Sequence, residues 1–417
     1  MKNVNFFAKA VSIYCICLLS ATVTVHSATK DMTNGKWTIR FNDETRKSEF
    51  VKDGTTILQD VSVKFKHNTS IIESTSYSDI KFSEENYSDA TGECKRFIIE
   101  YKNTENSTYP TIQQCFYLYP DKDYFLTDVF LLSSGTSKIE SNYIAPIYTE
   151  TQNRFLPQDA NNRFLFVPFD NDGFITYGSL PLSRGIDPTS LGVGRYARDT
   201  ISFEVTSIFN GETQEGLVIG SVEHDTWKSA IRMTGSPLSQ AYINKLECYS
   251  GATHSITRDA TDDNWLQPHG AVKGTKIKSA RMLVGLFDDW RTGMETFGDV
   301  NALIAPKREW NNPTPFGWNS WGGMERNINF DGVISVSDFI KENIQGKGHF
   351  GEDGLVFVGL DSFWDNLNWE QLKQFADYCK ANGQVPGIYW TPFCGFQKMT
   401  ALSKAITVIF IVKRISK

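Results

Sequence analysis

Three short segments in the last quarter of this 417-residue chain place an aromatic ring beside a polar side chain. They are residues 317–323 (GWNSWGG), 361–365 (DSFWD) and 387–393 (GIYWTPF). A hexose has apolar C–H faces that stack on aromatic rings, and it has hydroxyl groups that need directed hydrogen bonds. The three segments therefore indicate a binding site for a small neutral sugar.

Asp361 is the most informative single residue of these segments. It follows residues 355–360, a continuous apolar run that is typical of a strand buried on both faces. A carboxylate at the end of such a strand has no hydrophobic reason to be there, and its two oxygens can accept hydrogen bonds from two neighbouring hydroxyls. The alternative is that Asp361 caps the next segment or pairs with Lys or Arg.

The elements around these segments alternate between strand and helix. The pattern predicts strands at 316–320, 355–360 and 385–390 and helices at 333–345 and from Asn368 to Asn382-Gly383. Two crossovers of this length imply a parallel sheet with helices outside it. In a (β/α)8 barrel the substrate sits at the C-terminal ends of the strands, which is where all three segments fall.

The preceding 250 or so residues read as short strands divided by Gly, Asn, Asp and Ser clusters. Period-two alternation occurs at 61–66 and in parts of 96–101, 113–119 and 201–209. The fold class expected is therefore multidomain: an N-terminal antiparallel β-sandwich followed by the first three βα units of a (β/α)8 TIM barrel. The predicted segments are a signal peptide at 1–27, the sandwich at 28–287, a linking helix and linker at 288–312, the partial barrel at 313–395 and a tail at 396–417.

Composition excludes several classes of partner. A net charge of -6 and a pI near 5.6 give no electrostatic reason to expect nucleic acid or an anionic membrane. Five cysteines follow the predicted signal peptide, widely spaced and without a C-x-x-C pair, so neither a disulfide framework nor a zinc site is indicated. His224-Asp225 and Asp288-Asp289 have no partner pattern, and we assign them to surface loops or caps.

The first 27 residues have the order of a secretory signal peptide. Lys2 and Lys9 precede an apolar run over 10–25, and small residues follow near Ser27. The run is too short and too rich in Ser and Thr for a stable membrane span. We expect a secreted or periplasmic protein, and the sequence leaves its oligomeric state open.

Three ordered blocks resemble the melibiase, or α-galactosidase, clan of glycoside hydrolases: residues 315–321 (PFGWNSW), 358–364 (VGLDSFW) and 380–389 (KANGQVPGIY). The resemblance covers about the last fifth of the chain directly. It implies a retaining hydrolase of terminal α-linked galactosides in oligosaccharides or polysaccharides, without a cofactor or a metal. It also implies a substrate-binding set, in which Trp321 walls the galactose site, Asp361 binds sugar hydroxyls and Tyr389 lines the pocket, joined by Trp318, Trp364, Asp365 and Trp390.

Two departures from the clan pattern affect this expectation. Related enzymes often have two adjacent aspartates after the second strand, whereas the second position here is Ser362, for which Asp365 is a possible substitute. The choice between galactose, its 2-acetamido analogue and a glucoside therefore stays open. No residue matches the expected Lys-x-Asp nucleophile after the fourth strand or the Asp acid/base after the sixth, so we expect both beyond Lys417.

Length and the composition of the tail point the same way. Only 105 residues run from Pro313 to Lys417 (417 − 313 + 1), whereas an eight-fold barrel takes about 250. Residues 397–417 contain no Asp or Glu, although the chain has 48. We expect a frameshift or split gene after about Gly395, the alternative being a natural amphipathic tail.

Three functions are compatible with these observations. The first is an α-galactosidase-like hydrolase that is active when full length, with the present chain inactive alone. The second is a non-catalytic carbohydrate-binding protein, and the third is an inert fragment.

Overall fold

The computed structural model describes residues 29–106, 108–156, 161–167, 178–182, 201–236, 239–251, 270–311, 315–348 and 355–389. The chain forms two compact units, Met1–Lys307 and Arg308–Lys417. Trp390, the predicted signal peptide and the predicted tail lie outside the described residues. None of the described helices combines the length and the apolar character needed to cross a membrane.

The first unit consists of antiparallel strands and one long helix. Its strands are β1 (Thr29–Asn34), β2 (Trp37–Asn42), β3 (Lys47–Lys52), β4 (Thr55–His67), β5 (Ser70–Glu73), β6 (Asp79–Asp89), β7 (Gly92–Lys102), β8 (Thr111–Leu118), β9 (Tyr124–Leu132), β10 (Ile139–Ser141), β11 (Ile144–Thr149), β12 (Asn162–Phe166), β13 (Gly178–Pro181), β14 (Ile201–Phe203), β15 (Val205–Asn210), β16 (Gly216–Ser221), β17 (Ser229–Ser236), β18 (Ser239–Ser250), β19 (Val272–Gly274), β20 (Lys276–Lys278) and β21 (Met282–Phe287). A 3-10 turn at Ser74–Ser76 follows β5, and the helix is α1 (Trp290–Ile304).

Most of these strands belong to two large sheets. The first has the order β1-β2-β3-β4-β11-β18-β17-β14, with β5 also paired to β4, and the second has the order β13-β12-β15-β16-β21-β9-β8-β7-β6, with β20 paired to β9. Strands β10 and β19 form a separate pair. The alternation predicted at 61–66 lies within β4, where Val61, Val63 and Phe65 are buried.

Aromatic rings from both sheets meet in the core. Trp37 on β2 contacts Phe125 on β9 with ring centroids 5.0 Å apart, and Phe50 on β3 contacts Phe116 and Phe125 at 5.9 and 5.1 Å. All four rings are buried, and their edge-to-face geometry is the one that aromatic pairs prefer. The predicted antiparallel β-sandwich is therefore confirmed.

The segment at 201–209, where parts were predicted to alternate at period two, divides between the two sheets. The structure has β14 in the first sheet and β15 in the second. Glu204 lies between them with φ of 63°, a left-handed conformation that ends one pleat and redirects the chain. Its backbone is hydrogen-bonded at both groups. The Glu204 N–H donates to the Ser229 carbonyl, and the Glu204 carbonyl accepts from the N–H of Ser221.

A network of buried charges lies beside the core. The Asp128 carboxylate is fully buried and accepts hydrogen bonds from Arg281 Nε at 3.0 Å and from the Tyr117 hydroxyl, while Lys278 Nζ lies 3.3 Å away. Arg281 also contacts Asp89 at 3.3 Å and Glu223 at 3.8 Å. Burial alone would lower the pKa of Arg281, but Asp128, Tyr117 and Glu223 more than offset it, so the pKa is raised.

Within the first unit, the His224 side chain connects Glu204 to the last turn of α1. Its Nδ1 lies 2.9 Å from Glu204 Oε2, and its Nε2 lies 2.6 Å from Asn301 Oδ1. The Asn301 amide nitrogen donates to the Phe297 carbonyl, which fixes Oδ1 as an acceptor. Both ring nitrogens therefore face acceptors, and only the protonated imidazolium can donate to both. The bond to Glu204 raises the pKa of His224, burial opposes it, and the bond to Asn301 adds to the rise.

The second unit contains a parallel three-stranded sheet. Its strands are β22 (Phe316–Asn319), β23 (Val356–Leu360) and β24 (Val385–Ile388), and its helices are α2 (Trp321–Met324), α3 (Phe330–Asn343) and α4 (Trp369–Ala381), with 3-10 turns at Glu325–Asn327 and Trp364–Asn366. Both neighbouring pairs are parallel, in the order β22-β23-β24. The predicted βα alternation is confirmed for three strands and two crossover helices, and closure of an eight-stranded barrel stays a prediction.

Local signals account for the ends of these elements. Asn368 forms a capping box with Gln371 at the start of α4, and Gly383 takes the left-handed conformation with φ of 75° just after its end. On β22, a Cβ added to Gly317 would lie 2.4 Å from the Phe357 carbonyl oxygen, so only glycine fits between these two strands. The buried residues Val356, Val358 and Leu360 pack with the helices to form the core of this unit.

Candidate functional site

The candidate site lies at the C-terminal ends of the three parallel strands. Asn319 ends β22 and pairs in register with Gly359, which places it next to the end of β23, where Asp361 follows. Tyr389 follows β24, and its backbone N–H donates to the Leu360 carbonyl at 2.6 Å. The register of the sheet therefore brings Asn319, Asp361 and Tyr389 to one edge, as expected for a βα barrel.

The Asp361 carboxylate is held by two hydrogen bonds from the protein. Asn319 Nδ2 donates to Oδ2 at 2.8 Å, and the backbone N–H of Ser362 donates to Oδ1 at 2.6 Å. The backbone N–H of Asp361 in turn donates to Ser320 Oγ at 2.8 Å. Asp361 is half-buried, and no Lys or Arg ion pair to it occurs among the described residues. The sequence-based alternative of a partner for a basic side chain is therefore not supported.

Asn319 connects the carboxylate to the neighbouring aromatic ring. Its Oδ1 accepts a hydrogen bond from the backbone N–H of Trp321 at 2.8 Å, while its amide nitrogen bonds Asp361. This arrangement fixes the orientation of the Asn319 amide and ties the start of α2 to the end of β23. The Trp321 side chain is 45% exposed, so this connected segment combines an open aromatic ring with an oriented acceptor.

A second ring accompanies Trp321. The rings of Trp321 and Phe363 are nearly parallel, with an interplanar angle of 14° and centroids 6.4 Å apart. Phe363 is 39% exposed and has a left-handed backbone, with φ of 69° and ψ of 13°. Tyr389 is also exposed, at 45%. The strand-end site therefore has three exposed aromatic side chains on the segments that also carry the Asp361 carboxylate and its Asn319 partner.

The other predicted binding residues have different positions. Trp318 alternates with Asn319 on β22 and packs, partly buried, against the core of the second unit. Trp364 also packs against that core, and its Nε1 donates to the Tyr389 carbonyl at 2.9 Å. These contacts give both tryptophans a structural role, and Trp364 fixes the backbone that carries Tyr389. Asp365 is exposed on the 3-10 turn Trp364–Asn366.

Three residues of the site were not assigned from the sequence. Asn319, Ser320 and Phe363 lie within the motifs, yet their contacts with Asp361 and Trp321 require the strand register and the turn conformation. The sequence signal was their position at the end of a predicted strand or within three residues after one. No group of three or more His, Cys, Asp or Glu residues suited to a metal ion occurs in the described part of the chain.

A separate concavity of about 580 Å³ lies in the first unit. It is lined by Glu223, His224, Asp225, Thr226, Trp227, Lys278, Ser279, Ala280, Ile304 and Ala305. The Glu223 carboxylate bonds Lys278, and His224 bonds Glu204 and Asn301. These polar groups are engaged with the protein itself, and the strand-end site is the better candidate.

Comparisons with known proteins found similar solved structures and no similar sequence. No protein-family model and no curated protein sequence matches the chain. Among solved structures, the α-N-acetylgalactosaminidase NagBb from Bifidobacterium bifidum in complex with GalNAc is similar, with a TM-score of 0.50 at 12% identity, over 88% of this chain and 61% of that one. The GH36 α-galactosidase AgaB from Geobacillus stearothermophilus is similar with a TM-score of 0.48 at 9% identity, over 88% and 56%.

These likenesses concern the fold. The likeness to the bifidobacterial structure agrees with the fold that the sequence resemblance to the melibiase clan implied, a β-sandwich followed by a parallel βα sheet. The chain spans about three fifths of the length of the bifidobacterial enzyme.

Proposed function

We propose that the strand-end site binds the terminal sugar of an α-galactoside, and that the chain is the sugar-binding part of a retaining glycoside hydrolase. The observation that carries this proposal is that Asn319 bonds both the Asp361 carboxylate and the backbone N–H of Trp321, whose ring is exposed. An oriented acceptor next to an aromatic face is what a hexose requires. Export through the predicted signal peptide is part of the same proposal.

The carboxylate has capacity left for a ligand. Its two oxygens offer about four lone-pair sites in total. Two of these sites are occupied by Asn319 Nδ2 and the N–H of Ser362, which leaves one on each oxygen. Two adjacent sugar hydroxyls can donate to them while the ring stacks on the aromatic surface. Tyr389, at the end of the third strand, supplies a further hydroxyl at the rim.

Hydrolysis needs more than this half of the site. A retaining mechanism uses two carboxyl groups about 5–5.5 Å apart, one as nucleophile and one as acid/base. We assign both to positions beyond Lys417 and propose that the chain alone does not turn over substrate. A non-catalytic carbohydrate-binding protein is the second candidate, because all the groups that we expect to bind sugar hydroxyls lie within the described residues.

Ser362 and the structural neighbours widen the set of sugars to be tested. Ser362 stands where the related enzymes often have a second aspartate, and the bifidobacterial neighbour was solved with GalNAc. We therefore include galactose and its 2-acetamido analogue as ligands, with glucose as the comparison.

Two measurements on the full chain test the proposal. Galactose or GalNAc is expected to raise the thermal unfolding midpoint, since a ligand at 100 times its Kd stabilises the folded state by about 2.7 kcal/mol. Asp361→Asn should weaken that binding roughly 10- to 100-fold, because charged hydrogen bonds are lost. Asp377→Asn, an exposed change on α4, serves as the matched control and should bind as the unmodified chain does.

The outcomes distinguish a sugar-binding chain from an active enzyme and from an inert fragment. One result supports a chain that binds sugar and is inactive alone. In that result, sugar raises the unfolding midpoint, and a chromogenic α-galactoside does not release its leaving group. Turnover above a heat-denatured sample would contradict the assignment of both catalytic carboxyls beyond Lys417. Absence of any sugar-dependent shift would contradict the proposed function and favour an inert fragment.

A further inference from the structure

Phe363 has a backbone conformation that a phenylalanine adopts at a cost. Its φ of 69° and ψ of 13° lie in the left-handed region, which is an outlier for a bulky side chain. The ring is also 39% exposed, so burial does not account for the choice of residue. Strained residues persist where the surrounding structure holds them, and they cluster at ligand sites.

The conformation brings the ring and the carboxylate to one place. The backbone N–H of Ser362 bonds Asp361 Oδ1, and the N–H of Trp364 bonds the Asp361 carbonyl at 3.1 Å. This tight turn directs the Phe363 side chain toward the ring of Trp321, which begins α2 just after β22. The Arg326 guanidinium lies 5.9 Å from the ring centroid and also helps to hold it.

We propose that Phe363 is a specificity-determining residue of the sugar site, whose exposed ring, nearly parallel to that of Trp321, adds an aromatic contact for the C–H face of a galacto-configured pyranose. This inference rests on the proposed function. An axial 4-hydroxyl leaves the hydrogens of C3, C4 and C5 on the same side of the ring, so this face is continuous and apolar. In a gluco-configured sugar the C4 hydrogen lies on the opposite side. An aromatic contact from Phe363 with this continuous face should therefore favour the galacto form.

The turn offers a substitution that separates the ring from the backbone. Phe363→Gly removes the ring but suits the left-handed conformation, so the fold should be kept and the unfolding midpoint should not fall. Phe363→Tyr keeps the aromatic surface and serves as the conservative control. The probes are galactose, GalNAc and glucose, each titrated against the full chain by calorimetry.

The expected result is a loss of discrimination. Phe363→Gly should weaken galactose and GalNAc binding roughly 2- to 12-fold, the range that one aromatic contact gives, with a smaller change for glucose. Phe363→Tyr should bind like the unmodified chain. Equal losses for all three sugars, or an unchanged galactose affinity in Phe363→Gly while Asp361→Asn still weakens binding, would overturn this inference alone. No binding by the unmodified chain would overturn the proposed function and this inference together.

Discussion

Replacing Arg281 with methionine is expected to destabilise the sandwich strongly. The change leaves the fully buried Asp128 without its guanidinium partner at 3.0 Å and removes a contact to Asp89 at 3.3 Å. Among the five charged groups of this network, two cations face three carboxylates, so the loss of one cation leaves three negative charges with Lys278 alone. Breaking a buried pair by removing one partner costs about 3–5 kcal/mol.

The assay is urea unfolding of the full chain, followed by tryptophan fluorescence. With a slope of about 3 kcal/mol/M, a loss of about 3–5 kcal/mol lowers the unfolding midpoint of the sandwich by about 1–1.7 M. Arg40→Met is the matched control, because the Arg40–Asp31 pair at 2.9 Å is exposed on both sides. An exposed pair contributes about 0–1 kcal/mol, which corresponds to at most about 0.3 M.

A second substitution checks the cause of the loss. Asp128→Asn in the Arg281→Met background removes the uncompensated charge, and it should recover part of the lost stability. The neighbouring Glu223 and Lys278 remain paired in that variant. The electrostatic reasoning is refuted if the urea midpoint of Arg281→Met lies within about 0.3 M of the midpoint of the control. It is also refuted if the second substitution lowers the midpoint further.

Three shorter predictions concern other contacts. Because the pKa of His224 is raised in the folded chain, its contribution to stability is present below the unfolded value of about 6.5 and is lost as the pH rises through the folded value. His224→Gln should therefore lower the unfolding midpoint more at pH 5.5 than at pH 8.5, which lie about one unit below and two units above the unfolded pKa. An equal effect at both pH values would contradict this. Gly317→Ala should destabilise the second unit, since its Cβ would lie 2.4 Å from a carbonyl oxygen. Gly322→Ala should not, because the space around the added carbon is open, and limited proteolysis of both variants compares their stability. Asn368→Ala removes the capping box of α4 and should cost about 0.5–2 kcal/mol, measured as loss of helix signal during unfolding.

The second unit shows how far local sequence reasoning reaches. The apolar run before Asp361 predicts β23, and Asn368 with Gly383 predicts both ends of α4, because these signals act over a few residues. Asp361 as the central polar residue of the site also follows from its position after the strand. The sequence could not reveal the bond from Asn319, which lies 42 residues away and depends on the pairing of β22 with β23.

Glu204 and Phe363 mark the limit of such reasoning. Both have positive φ angles without being glycine, and local preferences argue against that conformation for each. Tertiary contacts offset the local cost, through Ser221 and Ser229 for Glu204 and through Trp321 for Phe363. The passage of the chain from one sheet to the other at Glu204 and the position of the Phe363 ring at the site therefore depend on contacts between distant elements.

The order of strands in the second sheet has a consequence for synthesis on the ribosome. Strand β9 (Tyr124–Leu132) pairs with β21 (Met282–Phe287), and 149 residues separate the two (282 − 132 − 1). At about 5–20 residues per second, β9 emerges roughly 7–30 s before its neighbour. During that interval its apolar edge is open to other chains, so a nascent sandwich has a window in which chaperone binding competes with aggregation.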